Sequence, residues 1–257
     1  MNRRAKELGL SLIGAATLLA AWASAAATLQ SPFLPRLDVV AKAFADNWLF
    51  ERVLSDVVPS LTRLGLGFVL AVTAGVLIGT AMGLVRWVAI ALEPVVEFAR
   101  ALPKIAIIPL FLVILGTGDR TKILVIAMAA TVPVLLNALD GTRSLDPVLQ
   151  QLAQVYRFSK WQRIGMVLRW SSPQVFAGAR TALALAFILV TSEMVAYTNG
   201  IGHFVLVSQR TFVIPDMWSG MLLLGVLGLL FNAVFVTVER RLMAWHRGFK
   251  ATQLDGG

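Results

Sequence analysis

The sequence predicts an all-α membrane protein with six transmembrane helices. Of its 257 residues, 58% are hydrophobic and only 14% are charged, and the mean hydropathy is +0.77. This composition is too apolar for a water-soluble domain of the same length. The apolar residues also gather in runs of about 20, which a membrane crossing requires and a soluble core does not. We therefore interpret residues 1–257 as one transmembrane domain.

Six apolar runs supply the predicted spans. They are Leu8–Leu29, Leu64–Val85, Pro94–Gly116, Ile123–Leu139, Val175–Tyr197 and Met217–Val238. About 20 helical residues, each rising about 1.5 Å, cross the roughly 30 Å hydrocarbon layer. The first run has an alternative, a secretory signal, because Arg3-Arg4 precedes it and Ala23-Ser24-Ala25 resembles a cleavage site. The length of this run and the spans behind it favour an uncleaved first span.

The third run is unusual because charged residues accompany it. At spacings of i, i+4, i+7 and i+11 these are Glu93, Glu97, Arg100 and Lys104. A continuous helix would place all four on one face, which should lie toward a bundle interior, a partner or a watery path. Glu97, Arg100 and Lys104 are therefore pathway candidates. The alternative, which we favour, is that Glu97 and Arg100 neutralise each other.

The basic residues predict the orientation, because Lys and Arg concentrate in cytoplasmic loops. With the N-terminus inside, the cytoplasmic segments carry Arg3, Arg4, Lys6, Arg86, Arg143, Arg157, Lys160, Arg163, Arg169, Arg240, Arg241, Arg247 and Lys250. The opposite side carries fewer, namely Arg36, Lys42, Arg52, Arg63, Arg120, Lys122 and Arg210. Both termini are therefore predicted to lie in the cytoplasm.

Several kinds of chemistry are disfavoured. The chain has no cysteine for a disulfide or thiolate metal site, and its two histidines, His203 and His246, are far apart. The net charge of +9 is spread over loops and span ends, so it does not indicate nucleic-acid binding. No G-x-x-x-x-G-K-[ST] motif and no intramembrane catalytic cluster is present in the sequence. We therefore expect no enzyme activity, metal or bound cofactor in this chain.

The stretch between the first two spans, residues 30–63, contains a short amphipathic pattern. Val40, Phe44 and Trp48 share one helical face. This pattern suits a helix lying on the membrane surface. A solvated connector is the alternative.

Small residues recur every four positions in the second span, at Gly67, Ala71, Gly75, Gly79 and Gly83. A weaker repeat in the fifth span comprises Gly178, Ala182 and Ala186. Small residues at this spacing allow two helices to approach closely in lipid. We favour packing within the chain over a dimer face.

Residues 140–174 form the most informative segment outside the spans. Asp146 followed by Pro147 is typical of an N-cap with proline at the first helical position. One apolar helical face then comprises Leu145, Val148, Leu149, Leu152, Val155 and Tyr156. A capping box at Ser159 and Gln162 predicts a second start. Two short amphipathic helices with a basic side at Arg157, Lys160 and Arg163 favour docking of another protein over a merely solvated or lipid-facing surface.

This segment resembles the signature loop of permease subunits from bacterial ABC importers, which is Glu-Ala-Ala, three residues, Gly, nine residues, Ile-x-Leu-Pro. The chain aligns to it as Gln151-Leu152-Ala153, Arg157, Ser159-Lys160-Trp161-Gln162, Val167-Leu168 and Pro173. Motifs that resemble the sulfonate/taurine/nitrate branch are Leu34-Pro35, Leu102-Pro103, Ile108-Pro109-Leu110, Gly116, Gly118, Leu145-Asp146-Pro147, Gly178 with Arg180, Glu193, Gly200-Ile201-Gly202 and Glu239-Arg240-Arg241. The resemblance covers nearly the whole chain. It implies a MetI-like permease fold with a cytoplasmic coupling-helix loop, residues 140–174, between the fourth and fifth spans.

The resemblance implies a subunit of an ATP-driven importer in the inner (cytoplasmic) membrane of a bacterial cell. The ATPase-coupling residues would be Gln151, Leu152, Ala153, Val155, Tyr156, Arg157, Ser159, Lys160 and Trp161. Separate ABC ATPase subunits would use ATP and Mg²⁺, and a second permease subunit, identical or related, would complete the path. A periplasmic or extracellular solute-binding protein would deliver a small anionic solute of the sulfonate, taurine or nitrate type.

The chain departs from the family pattern at several positions. Gln151 replaces the signature glutamate, Arg157 the glycine and Arg169 the first proline, and Lys104 stands where a second proline is commoner. These changes leave open a degenerate, non-transporting partner subunit. The charged third run leaves open a secondary transporter or channel, although the inverted repeats that would favour it are not visible.

Glu193 is a lone acid in the fifth span. Because an ionised, unpaired carboxylate is costly in hydrocarbon, this residue should be protonated, paired or facing water. Its position just before Gly200-Ile201-Gly202 favours a place near the periplasmic mouth of the pathway. A helix-end residue reaching the membrane interface is the alternative.

Overall fold

The computed structural model describes residues 3–196 and 199–243, and these ranges are helical with short connections. The helices are α1 (Arg3–Leu29), α2 (Leu37–Asp46), α3 (Val58–Leu84), α4 (Arg86–Ala101), α5 (Ile108–Leu115), α6 (Asp119–Arg143), α7 (Pro147–Val155), α8 (Lys160–Ala186), α9 (Leu189–Ala196), α10 (Ile201–Arg210) and α11 (Ile214–Leu242). Two π-helical turns, Asn47–Glu51 and Val53–Val57, precede α3, and a 3-10 turn, Lys104–Ile107, precedes α5. The predicted end of the fifth span at Tyr197, and His246, Arg247 and Lys250, lie outside the described residues.

The prediction of an all-α membrane protein is confirmed. Within the described part of the chain, five helical stretches are long and apolar enough to cross a membrane. A sixth crossing is present if α4 and the segment Lys104–Leu115, which are bent by 98°, form one span. The six-span prediction agrees with the structure on that condition.

The third predicted span is not one continuous helix. It breaks after Ala101, because Leu102 is extended and Pro103 follows it. Proline disfavours the α conformation in the residue before it and cannot donate a helical backbone hydrogen bond. The expectation of a four-charge face on one helix is therefore wrong, since Lys104 lies beyond the break.

The centre of the bundle is formed by α3 and α6, which run parallel. Gly67 faces Ile126, and Gly83, near the other end of α3, faces Thr142. A Cβ atom added at Gly75 would lie 2.6 Å from the Cβ of Val134, so the two backbones approach as closely as glycine permits. Packing of the glycine repeat within the chain is confirmed.

Helix α8 packs on α6 in the antiparallel direction. Gly141 of α6 faces Ser171, and Asn137, one turn earlier, faces Gly178 of α8. Ala182 and Ala186 are fully buried, so the weaker small-residue repeat also serves packing within the chain. The three helices α3, α6 and α8 therefore form one tightly packed unit.

Helix α2 is an amphipathic helix, but its apolar face does not lie on the membrane surface. Val40 is buried, and Trp48, just beyond the helix, stacks edge-on against Phe204 at 4.8 Å between ring centroids. The indole of Trp48 donates a hydrogen bond to Ser219 Oγ of α11 at 3.0 Å. The apolar face thus packs on α10 and α11 instead of on lipid, and the solvated-connector interpretation is wrong.

Candidate functional site

The first candidate site is the segment that joins α6 to α8, with α7 at its centre. The Asp146 side chain accepts a hydrogen bond from Val148 N at 2.8 Å, and Pro147 begins the helix, as the sequence predicts. Leu145 and Ala153 are buried against the rest of the chain. A cavity of about 370 Å³ separates parts of α7 from the ends of α3, α6 and α8. Helix α7 therefore lies at the end of the bundle where α3 and α6 both finish.

The outer face of α7 is an exposed apolar surface, which we call the docking surface. It comprises Val148, Leu152, Val155 and Tyr156, together with Trp161 at the start of α8. Val155, Tyr156 and Trp161 are 76%, 72% and 83% exposed. The single apolar face predicted for α7 is thus divided: part is buried within the chain, and the rest has no cover among the described residues. Large exposed apolar patches of this kind mark interaction sites.

Helix α7 ends at Val155, and Arg157, just after its C-cap Tyr156, has a left-handed conformation with φ at +50°. Arg157 N donates to Gln154 O and Phe158 N donates to Ala153 O, which are the two hydrogen bonds of a Schellman motif. Glycine is the residue that adopts this conformation at least cost. The resemblance places the signature glycine at this position, so the backbone keeps the turn although the residue is arginine.

The predicted second short helix is instead the beginning of α8. The capping box is present: Ser159 Oγ accepts from Gln162 N at 3.3 Å, and the Gln162 side chain accepts from Ser159 N at 2.8 Å. From Lys160 the helix continues without interruption to Ala186 in the bundle core. The expectation of two short helices is therefore wrong, and the docking surface is joined to the core by one continuous helix.

The second candidate site is a buried ionic cluster at the opposite end of the bundle. Its centre is Arg63 of α3, which is 3% exposed. The guanidinium donates to Asp119 Oδ1 from Nε at 2.8 Å and lies 2.7 Å from it at Nη2, and it donates to Glu193 Oε1 at 2.8 Å. Two further bonds go to the backbone oxygen and the side-chain oxygen of Asn199. Arg63 thus donates four hydrogen bonds and pairs with two carboxylates, which uses most of the hydrogen-bonding capacity of its guanidinium.

Glu193 is fully buried and fully occupied in this cluster. Its Oε1 also accepts from Ser60 Oγ at 2.6 Å, and its Oε2 accepts from Gly202 N at 3.0 Å. Of the three predicted states of this residue, the structure shows the paired one. The alternative of a helix-end residue at the membrane interface is wrong, because the side chain has 0% exposure.

The Gly200-Ile201-Gly202 motif is shaped around the Glu193 carboxylate. Gly200 has φ at +120°, and a Cβ atom there would lie 2.3 Å from the carboxylate carbon. A Cβ atom at Gly202 would lie 2.3 Å from Val190 O. Any side chain at either position would displace the carboxylate or the helix. The motif thus closes the ionic cluster from the side of α10.

The charged residues of α4 do not enter either site. Arg100 Nη1 donates to Glu97 Oε1 at 3.2 Å, so the favoured pairing of these two residues is present. Lys104 donates from Nζ to Ala99 O, across the break after α4. Both cations therefore have contacts near their own position in the chain.

Two members of the ionic cluster, Arg63 and Asp119, are not among the site residues predicted from the sequence, and neither is the buried Lys122. Asp119 and Lys122 begin α6, and Lys122 is completely buried. Arg63 is predicted only as a loop residue on the outer side. In the sequence, a cation and an acid near the starts of two apolar runs could indicate an ion pair. The two residues meet, however, only because α3 and α6 run parallel.

The sequence of this chain is similar to those of membrane components of known transport systems. Residues 71–245 match the family described as binding-protein-dependent transport system inner membrane component. The taurine transport system permease protein TauC of Escherichia coli is 33% identical over 94% of this chain and 91% of its own length. The nitrate import permease protein NrtB of Synechococcus elongatus is 31% identical over 73% and 71%, respectively. The bicarbonate transport system permease protein CmpB of the same species is 28% identical over 82% and 74%.

The family match covers α6, α8 and the second half of α3, and of the ionic cluster it includes Asp119 and Glu193 but not Arg63. It also covers α7, the segment on which the resemblance to importer permeases was first based. The chain therefore belongs to the binding-protein-dependent transport family and is a permease subunit of an ABC importer.

Proposed function

We propose that this chain forms the membrane path of an importer for a small oxyanion, driven by ATPase subunits that bind at α7. The exposed docking surface carries the proposal, because it is apolar, lies at one end of the bundle and is joined to the core by α8. The relatives are named for the transport of taurine, nitrate and bicarbonate. Taurine has a sulfonate group, and nitrate and bicarbonate are themselves oxyanions. A small oxyanion is the cargo class that these names share.

The docking surface suits a groove on a partner protein. Leu152 and Val155 supply apolar contact area on a short helix, and Trp161 projects beside them. Arg157, Lys160 and Arg163 are exposed at its edge, where charges fix the register of a complex more than its affinity. An apolar helix face laid into a groove is a common mode of recognition between proteins. In the proposed importer the groove belongs to the ATPase.

The continuity of α8 offers a mechanism for coupling. Trp161 and Gly178 lie about 25 Å apart in one helix, which stays helical through Pro173 although that residue donates no backbone hydrogen bond, so a displacement at Trp161 is carried along α8 toward Gly178. A Cβ atom at Gly178 would lie 2.7 Å from the Cβ of Asn137 in α6, and Ala182 is fully buried, so even a small shift of α8 changes the packing. Closure of the ATPases would thereby alter the arrangement of the core helices.

If α7 faces the ATPases, both termini and α7 are cytoplasmic and the ionic cluster lies at the outer end. The cluster joins α3, α6, α9 and the turn before α10, so it holds the outer ends of the core helices together. In this proposal Glu193 is part of an outer closure near the seat of the delivery protein. The contacts of Glu97, Arg100 and Lys104 support a structural role for those residues over contact with cargo.

The docking surface is tested by Leu152→Asp, which places a charge at its centre. The matched control is Gln154→Asp, which places the same charge on the same helix away from the apolar face. We expect Leu152→Asp to reduce co-purification of the cognate ATPase at least about tenfold, roughly 1.4 kcal/mol, and the control to retain it. Arg157→Glu should weaken binding less, because it lies at the edge. If Leu152→Asp and Arg157→Glu both co-purify ATPase at the wild-type yield, the docking assignment is wrong.

The cargo class is tested by uptake into proteoliposomes that contain the permease, its ATPase and its cognate solute-binding protein. Taurine, an alkanesulfonate, nitrate and bicarbonate are offered singly with ATP inside or outside the vesicle. ATP-dependent uptake of at least one oxyanion is expected. A complex that hydrolyses ATP but moves none of them would contradict the cargo class. Uptake without ATP would favour a secondary transporter, and a fully assembled complex inactive in both respects would favour a non-transporting partner subunit.

A further inference from the structure

We infer that Arg180 of α8 is the residue that binds the anionic group of the cargo at the middle of the membrane. This inference rests on the proposed function and adds a site to it. In the sequence Arg180 belongs only to a motif and is not among the predicted pathway residues. Its depth, its exposure and its contacts set it apart from the other cations of the bundle.

The depth of Arg180 follows from the packing of the core helices. Ala182 of α8 lies in one buried cluster with Ala71 of α3 and with Ala130 and Val134 of α6. Ala71 is close to the middle of the 27-residue α3. One end of α3 lies at the ionic cluster and the other end lies beside α7, at opposite sides of the bundle. Arg180 is two residues from Ala182, or about 3 Å along the helix. The guanidinium therefore branches from the helix near the midplane.

The side chain of Arg180 lies on the surface of the chain. It is exposed, and the neighbouring positions Ala177, Thr181 and Ala184 are exposed as well. These residues are small or carry a hydroxyl group, so they leave the guanidinium accessible. Most outward-facing residues of α11, by contrast, are large and apolar, as expected for a lipid contact.

The contacts of Arg180 leave most of its hydrogen-bonding capacity unused. Among the described residues it makes one hydrogen bond, from Nη2 to Asn232 Oδ1 of α11 at 3.3 Å, and it has no carboxylate partner within ion-pair distance. Arg63, in contrast, is buried, donates four hydrogen bonds and pairs with two carboxylates. Asn232 is neutral, so it orients the guanidinium without cancelling its charge.

A charge in this position cannot face lipid without a cost of a few kcal/mol or more. The face around Arg180 must therefore be covered by a partner subunit, by water or by both. An importer permease of this class works with a second permease subunit, and a path between the two would supply the water. In a symmetric pair, two copies of Arg180 would repel each other across the path and would be stabilised by an anion between them. An oxyanion can accept two parallel N–H bonds from one edge of a guanidinium.

The absence of cysteine from the chain allows a direct test. Ala184→Cys places a thiol one helical turn from Arg180 on the same face. The complete complex, with cysteine-free ATPase, is treated with two methanethiosulfonates of similar size, one bearing a sulfonatoethyl group and one a trimethylammonioethyl group. The sulfonate reagent is itself an alkanesulfonate probe. Leu77→Cys, on an exposed apolar face of α3, gives the background rate for a lipid-facing thiol.

We expect the ratio of sulfonate to ammonium reaction rates in the Ala184→Cys variant to fall about tenfold when Arg180 is also changed to Gln, because the local positive potential is lost. Arg180→Lys should retain most of the ratio. A thiol that neither reagent reaches, with or without trapped ATP, would overturn the inference, and so would a ratio that Arg180→Gln leaves unchanged. ATP hydrolysis and ATPase association are measured on the same samples. Their failure would contradict the proposed importer function, whereas normal hydrolysis with an unchanged ratio would contradict only the site at Arg180.

Discussion

Arg63 and Glu193 lie 130 positions apart in the sequence, and their side chains form an ion pair of 2.8 Å that is almost completely buried. Arg63 belongs to the first turns of α3 and Glu193 to α9, so the pair joins the beginning of one core helix to the short helix that follows α8. Asp119, at the start of α6, contacts the same guanidinium from its exposed side. One arginine thus links α3, α6 and α9 at this end of the bundle.

The first prediction concerns this pair. Glu193→Gln keeps the size of the side chain but leaves Arg63 with less compensation in a buried site. Removing one member of a buried pair costs about 3–5 kcal/mol. We therefore expect a strong loss of stability, measured as a lower midpoint of unfolding of the purified permease in an SDS titration.

The control for the buried pair is Asp119→Asn. The Asp119 side chain is 63% exposed, so solvent screens its charge and the expected loss is about 1 kcal/mol or less. Equal losses for the two variants would show that burial does not decide the strength of the cluster. A double variant, Arg63→Met with Glu193→Leu, should recover part of the loss, because an apolar pair leaves no uncompensated charge.

The second prediction concerns the close contact of α3 with α6. A Cβ atom at Gly79 would lie 2.3 Å from Leu135 O, so Gly79→Ala should force the helices apart and cost about 1–3 kcal/mol. In the same helix, Gly65 has no neighbour within 4 Å of the added atom. Gly65→Ala should therefore stabilise the helix by about 0.5–1 kcal/mol. Opposite signs in the same SDS titration are the expected result, and a similar shift for both would contradict the packing.

Much of the fold could be predicted from local patterns. The runs of apolar residues predicted the spans, the glycine repeat predicted close packing, and Asp146 and Ser159 predicted two helix starts. Each of these features depends on neighbours within a few positions in the sequence. The same is true of the Glu97–Arg100 pair, which lies within one turn of a helix.

The features that could not be predicted depend on contacts between distant segments. Glu193 required a partner, but its partner Arg63 lies in a distant segment of the sequence. The parallel arrangement of α3 and α6 also brings Asp119 to the same arginine. Arg180 lies in a sequence motif, but its proposed role depends on its depth in the bundle, which follows from the packing of α8 on α3 and α6. The break at Leu102-Pro103 is visible in the sequence, but the apolar run continues on both sides of it and favours a single helix.

The third prediction concerns the end of α7. Arg157 has φ at +50°, a conformation that costs a residue with a Cβ atom about 1 kcal/mol relative to glycine. Arg157→Gly should therefore stabilise the permease compared with Arg157→Ala, which removes the same charge but keeps the strain. The difference between these two variants in the SDS titration isolates the backbone effect. Equal stability would mean that the loop relaxes out of the left-handed conformation when the arginine is removed.

The last prediction concerns the Glu97–Arg100 pair of α4. If the pair serves to neutralise two charges beside an apolar run, Arg100→Glu alone places two acids within one helical turn and should lower the amount of protein in the membrane severalfold. The exchange of both residues, Glu97→Arg with Arg100→Glu, should restore most of that amount, because the pair is re-formed in the reverse order. Both variants are compared by quantitative immunoblot of washed membranes and by co-purification of the ATPase. Normal membrane levels of Arg100→Glu, together with altered selectivity among taurine, nitrate and bicarbonate, would instead assign Arg100 to the pathway.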